Sequence, residues 1–495
     1  MTTEVIALAG WPPEDLAYGY AMYSRSALSI KESLTRIARE RAAGGEKASK
    51  FFEAYYFGYG HASIADNAHI PLALEGISQI AAFALEDEML WDGQERSTRY
   101  QDFSRGKAEI FTPRSISGTS SSLIFEEAVG LLLGEYEFFS QACFEYLVRQ
   151  NPKPTEMKDE QYERTMRARA FDVARYWLFG AIQTNVGQIT SARTLEAQIT
   201  RLMSSEYSEL VELAGEMKLA CSDKPFAPEG RDEPPVAPTL VKHTAPNPYQ
   251  IELRARMRVI TKGTRGAWGS NSGRYVELAP CPHTITQEII ASLLYEASQI
   301  SYRQALRAAE DLPRDERERI LALVCQLRGN HDPLPRALSA GYQLAFDIAM
   351  DRGGARDMHR HRRCIQLHQP LTTRRGFDTP QLVKYVGLDT RYSRKMIKAD
   401  VLLKCLREEV GDDADYLIPF AYRAGMLMKM DAREVFYITE LRSGVGGHFS
   451  YRDVACRMYD QLLAVEPELM VHKKILRPDG KPRVTPFEVE NLLKR

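Results

Sequence analysis

The chain has 495 residues, 44% hydrophobic and 26% charged, with 65 Lys and Arg set against 66 Asp and Glu. That balance argues against a general nucleic-acid binder, which carries a basic excess. No apolar run of roughly 18 residues is present, and Met1-Thr2-Thr3-Glu4 opens no basic or apolar leader, so neither a membrane span nor a secretory signal is expected.

In chain order, residues 4–9 read as a short strand and Ser29–Ala43 as an amphipathic helix. Phe51 to His61 is aromatic and punctuated by glycine. His69–Ile77 alternates like a strand, a helical run continues to Leu90, and Trp91-Asp92-Gly93 looks like a turn. Three long helices are predicted over 123–149, 164–183 and 191–220. Residues 222–250 hold seven prolines, which disfavour helix and central strand, so they read as a semi-rigid linker.

After that stretch the order repeats. Helices are predicted over 285–308 and 314–328, then Leu327 to His331 takes the place of Phe57 to His61, and a strand runs from Tyr342 to Met350. Helices near 396–409, 430–442 and 450–464 follow, with Asp431 as an N-cap. One order appearing twice reads as a tandem duplication: domains 1–221 and 251–495 around the linker 222–250. The seven cysteines are scattered and form no CxxC pair, which fits reduced thiols in the cytoplasm.

Arg356 to Cys364 packs four arginines and two histidines into nine residues. Such a surplus calls for an anionic partner, although basic runs are commonly solvated helix faces. His359, His361 and His368 have no acidic or cysteine partner at ligand spacing, so no metal site is expected. The Gly-rich phosphate loops of the common nucleotide-binding folds are absent.

These residues resemble the flavin-dependent thymidylate synthases. That family carries Arg-His-Arg, seven residues, then Ser-x-Arg-Tyr. Here Arg360-His361-Arg362 supplies the opening, with Pro370 where the serine is due, and Ser97-Thr98-Arg99-Tyr100 supplies the closing, with Asp87-Glu88-Met89 at the triplet position. Glu95 precedes Ser97 as in the family. The family's Ala-Arg-x-x-Leu-Pro-like segment is matched by Ala174 to Leu178 in the first copy and by Asp415 to Pro419 in the second, where Asp415 replaces the arginine. Its Asn-x-Arg to Leu-Arg helix is matched by Asp431-Ala432-Arg433 to Arg442, and by Ser191-Ala192-Arg193 to Leu202 without the terminal arginine.

The resemblance implies an α+β fold: two tandem domains, each of long helices packed on a small mixed sheet. It implies reductive C5 methylation of dUMP using FAD, with NAD(P)H and methylenetetrahydrofolate as co-substrates. Family sites form between subunits, so each decayed copy here would lend what the other lacks. Glu95, Ser97, Arg99 and Arg175 would bind the nucleotide together with Arg360 and Arg442, since guanidinium forks match phosphate oxygens. Arg442 and Ser97 would act in catalysis, Arg442 by meeting negative charge on the pyrimidine. Arg360, His361 and Arg362, with His61, Ser63, Arg193 and Arg433, would hold the flavin. A homodimer of tandem chains would reproduce the family's tetramer, with no nucleic acid or membrane partner. C5 modification of another pyrimidine nucleotide such as UMP, or flavin or nucleotide binding without catalysis, stays open. So does RNA binding by the basic cluster.

Overall fold

The computed structural model describes residues 5–23, 26, 28–58, 61–99, 101–264, 273–280, 285–326, 335–338, 344–444 and 446–465. The Leu327 to His331 segment and the start of the strand expected from Tyr342 lie outside them. Two compact units emerge, one from Met1–Glu75, Ala84–Glu95 and Asn185–Gln250, the other from Gly76–Phe83, Arg96–Thr184 and Ile251–Arg495. No described helix is long and apolar enough to cross a membrane.

The first unit is organised on a sheet of order β1-β3-β2, with β1 His69–Ser78, β2 Asp92–Glu95 and β3 Gln183–Ser191. The helix after β1 ends at Leu85 rather than near 90. Trp91-Asp92-Gly93 is not a turn but the entry to β2, antiparallel to β3. Its glycine is required by close approach: a side chain on Gly93 would collide with the Gly187 carbonyl and the Trp91 ring. The buried Trp91 indole donates to Gln188 Oε1 at 2.8 Å. Residues 5–9 form no strand, and Val5 stands 93% exposed. The helix Ile30–Ala42 starts as expected, through a capping box between Ser29 and Glu32. The stretch 191–220 is two helices, Ala192–Met203 and Ser208–Ser222. Between them Tyr207 N donates to Ser205 Oγ at 3.1 Å, a serine turn that competes with helix. The proline-rich stretch packs closely: Ala237, Leu240 and Val241 are fully buried, and a helix begins on its last proline at Pro248–Thr264.

The second unit holds a four-stranded sheet of order β4-β5-β7-β6, with β4 Tyr275–Leu278, β5 Leu344–Asp351, β6 Ile365–His368 and β7 Arg423–Met430. Its pairings are all antiparallel, not mixed. Period-2 alternation sends Phe346, Ile348, Met350, Met426, Met428 and Met430 to one face, against Ala432–Ser443 and Phe449–Val465. Ala345 and Leu427 face the opposite side, against Ile285–Glu296 and Tyr302–Asp311, two helices where one was expected. They separate at Ser301, which forms a capping box with Gln304. The 164–183 helix is Asp159–Ala174, followed by a 3-10 turn at Arg175–Trp177. Ser121–Gln150 packs on that helix and on Asp389–Val410. There Phe139 and Trp177 stack at 5.4 Å, and Tyr392 meets both rings edge-on.

The two repeats meet within this unit along a reciprocal backbone seam. Ala181 N donates to Tyr416 O at 2.8 Å, and Ala421 N donates to Tyr176 O at 3.1 Å. Each pair exchanges the same two repeat positions, and Phe179 bridges Pro419 between them. Such an exchange is the signature of a two-fold contact between like surfaces. The strand ends agree too. Gln79 N donates to Ile182 O and Arg352 N to Tyr422 O, both at 3.0 Å. The next helix is capped in each copy by one side chain: Ala81 N donates to Ser78 Oγ, and Gly354 N to Asp351 Oδ1.

Candidate functional site

Ser97 and Arg99 follow β2, where the backbone turns tightly. Arg99 N donates to Ser97 Oγ at 3.2 Å, so the serine shapes the turn. The Arg99 guanidinium forks onto Asp172, Nε to Oδ1 at 2.6 Å and Nη2 to Oδ2 at 3.0 Å. Its other edge reaches the second repeat, at the Gly446 carbonyl (3.4 Å) and the Tyr451 hydroxyl (3.5 Å). Burial alone would raise the Asp172 carboxyl, but the Arg99 charge outweighs it and holds the pKa far below the usual range.

Arg175 is 2% exposed, placed by the 3-10 turn, and touches Asp357 through Nη2 at 3.3 Å. Its Nε is buried without a protein partner. An unmet buried donor costs about 1–3 kcal/mol. Gly353 lies so close to this Nε that a Cβ would stand 3.3 Å away. His448, fully buried, receives a bond from Ser450 N on Nδ1, so Nε2–H donates to the Asp172 carbonyl at 2.9 Å. Burial, then the Arg175 charge, push its pKa well below the usual value and keep it neutral.

Helix Arg352–His359 carries only the start of the basic cluster; Arg360 is its C-cap, and His361 to Arg363 follow the helix. Arg360 and Arg362 are half-buried, whereas His361 is buried. His361 Nε2 accepts from Arg442 Nε at 2.7 Å, which leaves Nδ1–H facing Glu434 Oε1 at 3.6 Å. The Arg442 guanidinium lies 5.2 Å from the Tyr451 ring. Gly447 permits this approach, since a side chain there would meet Tyr451 at 2.7 Å. Arg99 and Arg442, from different repeats, therefore both touch Tyr451, and Arg175 reaches a residue three before Arg360.

The remaining expected residues sit elsewhere. In the first unit, His61 and Ser63 are exposed at the 3-10 segment Ala62–Asn67, and Glu95 ends β2 half-buried. Arg193 pairs with Asp66 at 3.1 Å. Arg433 begins the helix Ala432–Ser443, and its side chain lies outside the described residues, as does Tyr100. Sequence reasoning missed Asp172, Asp357, Glu434, His448 and Tyr451. Asp172 and Asp357 each stand three residues before an expected arginine, but neither pairs with that one: Asp172 holds Arg99 and Asp357 meets Arg175.

The sequence profile of a family described as thymidylate synthase complementing protein matches residues 9–224 and again 266–468. A UPF0159 protein of Chlamydia muridarum is 24% identical, over 94% of this chain and 91% of its own length. One from Thermoplasma acidophilum is 25% identical, over 91% of this chain and 93% of its own.

Proposed function

Because the chain belongs to the family of thymidylate synthase complementing proteins, the flavin-dependent thymidylate synthases, we propose that it is an FAD-dependent enzyme methylating C5 of dUMP at one composite site made by both repeats. The observation that carries this reading is the shared contact at Tyr451: Arg99 of the first repeat meets its hydroxyl and Arg442 of the second its ring. The copies, taken as 1–221 and 251–495 around the stretch 222–250, are proposed to have decayed in complementary ways.

Arg99 and Arg175 would bind the nucleotide phosphate, and Ser97 holds the turn that aims Arg99. The unmet Arg175 Nε is a donor suited to a phosphate oxygen. Asp172 and Asp357 keep both guanidiniums ordered, and an incoming anion would meet the edges turned away from those carboxylates. Arg442 would face negative charge on the pyrimidine, in a site where burial strengthens the interaction. Arg360 and Arg362, two cations at the solvent edge, suit a pyrophosphate, and we assign them to FAD. When bound, FAD supplies the hydride chemistry that completes the methyl group. His61, Ser63, Arg193 and Arg433 are further flavin candidates, and Glu95 is a nucleotide candidate. NAD(P)H and methylenetetrahydrofolate would be co-substrates, and the working assembly a cytoplasmic homodimer.

A second reading is C5 modification of another pyrimidine nucleotide such as UMP. It is favoured by Pro370 at the position of the family serine and by Asp357 beside the phosphate arginine. The test is the visible spectrum of the purified chain, followed by anaerobic bleaching with NADPH. Bleaching quickened by dUMP supports the first reading, and by UMP alone the second. A bound flavin that never turns over with folate means binding without catalysis, and a colourless protein overturns all three.

A further inference from the structure

Arg442 is the residue on which the proposed chemistry leans, yet a terminal helix arginine beside an aromatic ring has many rotamers open to it. What holds it is His361. The imidazole is 4% exposed and accepts from Arg442 Nε at 2.7 Å. Its other nitrogen faces Glu434 Oε1 at 3.6 Å, and Glu434 is itself 4% exposed. The imidazole is pinned from below by its own backbone. Gln366 Nε2 donates to the His361 carbonyl at 2.6 Å, and Tyr437 meets the ring edge-on at 5.7 Å.

We propose that Glu434 and His361 form a positioning relay for Arg442: Glu434 selects the Nδ1–H tautomer, so that Nε2 is free to accept from the guanidinium and fix its direction over Tyr451. This rests on Arg442 as the group that faces substrate. Glu434 and His361 are positioning residues in this scheme. The relay works only while His361 is neutral, because a proton on Nε2 would turn the acceptor into a second donor facing Arg442. The charged and titratable groups around the ring are Glu434, Arg442 and Tyr437 of the helix Ala432–Ser443 and Asp357 of the helix Arg352–His359, with Tyr451 beyond Arg442. Burial and Arg442 lower the His361 pKa, whereas Glu434 and Asp357 raise it.

The experiment uses the full chain labelled with 15N-histidine, read by imidazole nitrogen shifts against pH, with flavin turnover measured on the same samples. Wild type should show His361 protonated on Nδ1 at neutral pH, titrating below the usual histidine value. Glu434→Gln should lower that pKa by about one unit, the scale of one neighbouring charge, and move the acid limb of kcat to lower pH with it. His361→Phe should cut kcat at least tenfold with KM little changed, and His361→Gln, which keeps an acceptor for Arg442, should recover most of the loss. An Nε2–H tautomer in wild type, or a pKa unmoved in Glu434→Gln, overturns the relay. If no turnover is found in any sample, the functional reading fails, and the nitrogen shifts still decide the relay.

Discussion

The corresponding helices Ala192–Met203 and Ala432–Ser443 of the two repeats each end on an arginine held at the same place, with opposite electrostatics. In the first repeat, Arg201 Nε donates to Glu88 at 2.8 Å and Nη2 to the Ala84 carbonyl at 2.7 Å. In the second, Arg442 Nε donates to His361 at 2.7 Å. Glu88 and His361 hold the same place in the repeat, the middle of the triplet, and the arginines differ by one position. An acid in that place neutralises the guanidinium. A neutral imidazole holds it by one hydrogen bond and leaves its charge uncancelled, and among the described residues no carboxylate pairs with Arg442. One residue type at the turn thus separates a structural ion pair from a cation available to a ligand.

The largest effect that would break this comparison is at the two arginines themselves. Arg442→Ala should lower turnover roughly 10²–10³-fold, the usual loss for one charge-stabilising donor, with flavin still bound. Arg201→Ala should leave turnover within about twofold and reduce stability by about 1 kcal/mol. Steady-state kinetics beside thermal melts would show both, and equal kinetic losses would end the distinction between the repeats. Next come the nucleotide contacts. Arg99→Ala and Arg175→Ala should weaken nucleotide binding about 100-fold, by titration calorimetry. Asp415→Asn, at the position of Arg175 in the second repeat and paired there with Arg407, should leave it unchanged.

A smaller effect concerns stability against acid. Asp172 has its folded pKa depressed, so its contribution is present above the unfolded value of about 4 and fades as pH falls below it. Asp172→Asn should cost about 3 kcal/mol near neutral pH, where it leaves Arg99 without its buried partner, and flatten the acid limb of a stability profile. The smallest effect separates the two compact units. Asp347 is pushed up to about 6, first by burial, despite bonds from Tyr302 N, Tyr295 and Tyr275. Glu14 is pushed up to about 7 by burial, against bonds from Leu240 N and Thr239 N. A raised folded pKa in an acid gives stability that is full below the unfolded value and lost as pH rises. Asp347→Asn should remove a decline between about pH 4 and 6. Glu14→Gln should remove one extending to about pH 7, and denaturant melts across that range would read both.

The long amphipathic helices were legible because their apolar period is local. Although Asp389–Val410 begins seven residues before the expected 396, Ile30–Ala42 and Ser121–Gln150 stand close to where the pattern put them. The same holds for β1, whose alternation runs from Ile70 through Leu74, and for the Asp431 cap, which accepts from Glu434 N. Apart from the strand expected from Tyr342 and found at Leu344–Asp351, the other strands were not legible. β7 reads Arg-Ala-Gly-Met-Leu-Met-Lys-Met, buried on both faces and rich in methionine, so it carries neither alternation nor β-branched residues. β2 hid behind Asp-Gly, a turn-like pair whose glycine answers a cross-strand approach instead. Within the site, the arginines and His361 were named in advance because they recur in a known spacing. Their partners Asp172 and Glu434 were not, because the pairings Arg99–Asp172 and His361–Glu434 each span dozens of residues and nothing local marks them.

From residue order alone came the duplication, the helical periods, and the division of expected site residues between the two copies, since each is written in short-range spacing. Tertiary structure decided which of those residues touch: the reciprocal seam at Ala181 and Ala421, the convergence of Arg99 and Arg442 on Tyr451, and the carboxylates set against Arg99 and Arg175. The physical reason is that a buried charge is defined by what faces it. For these arginines the facing groups come from distant parts of the chain, brought near only by packing.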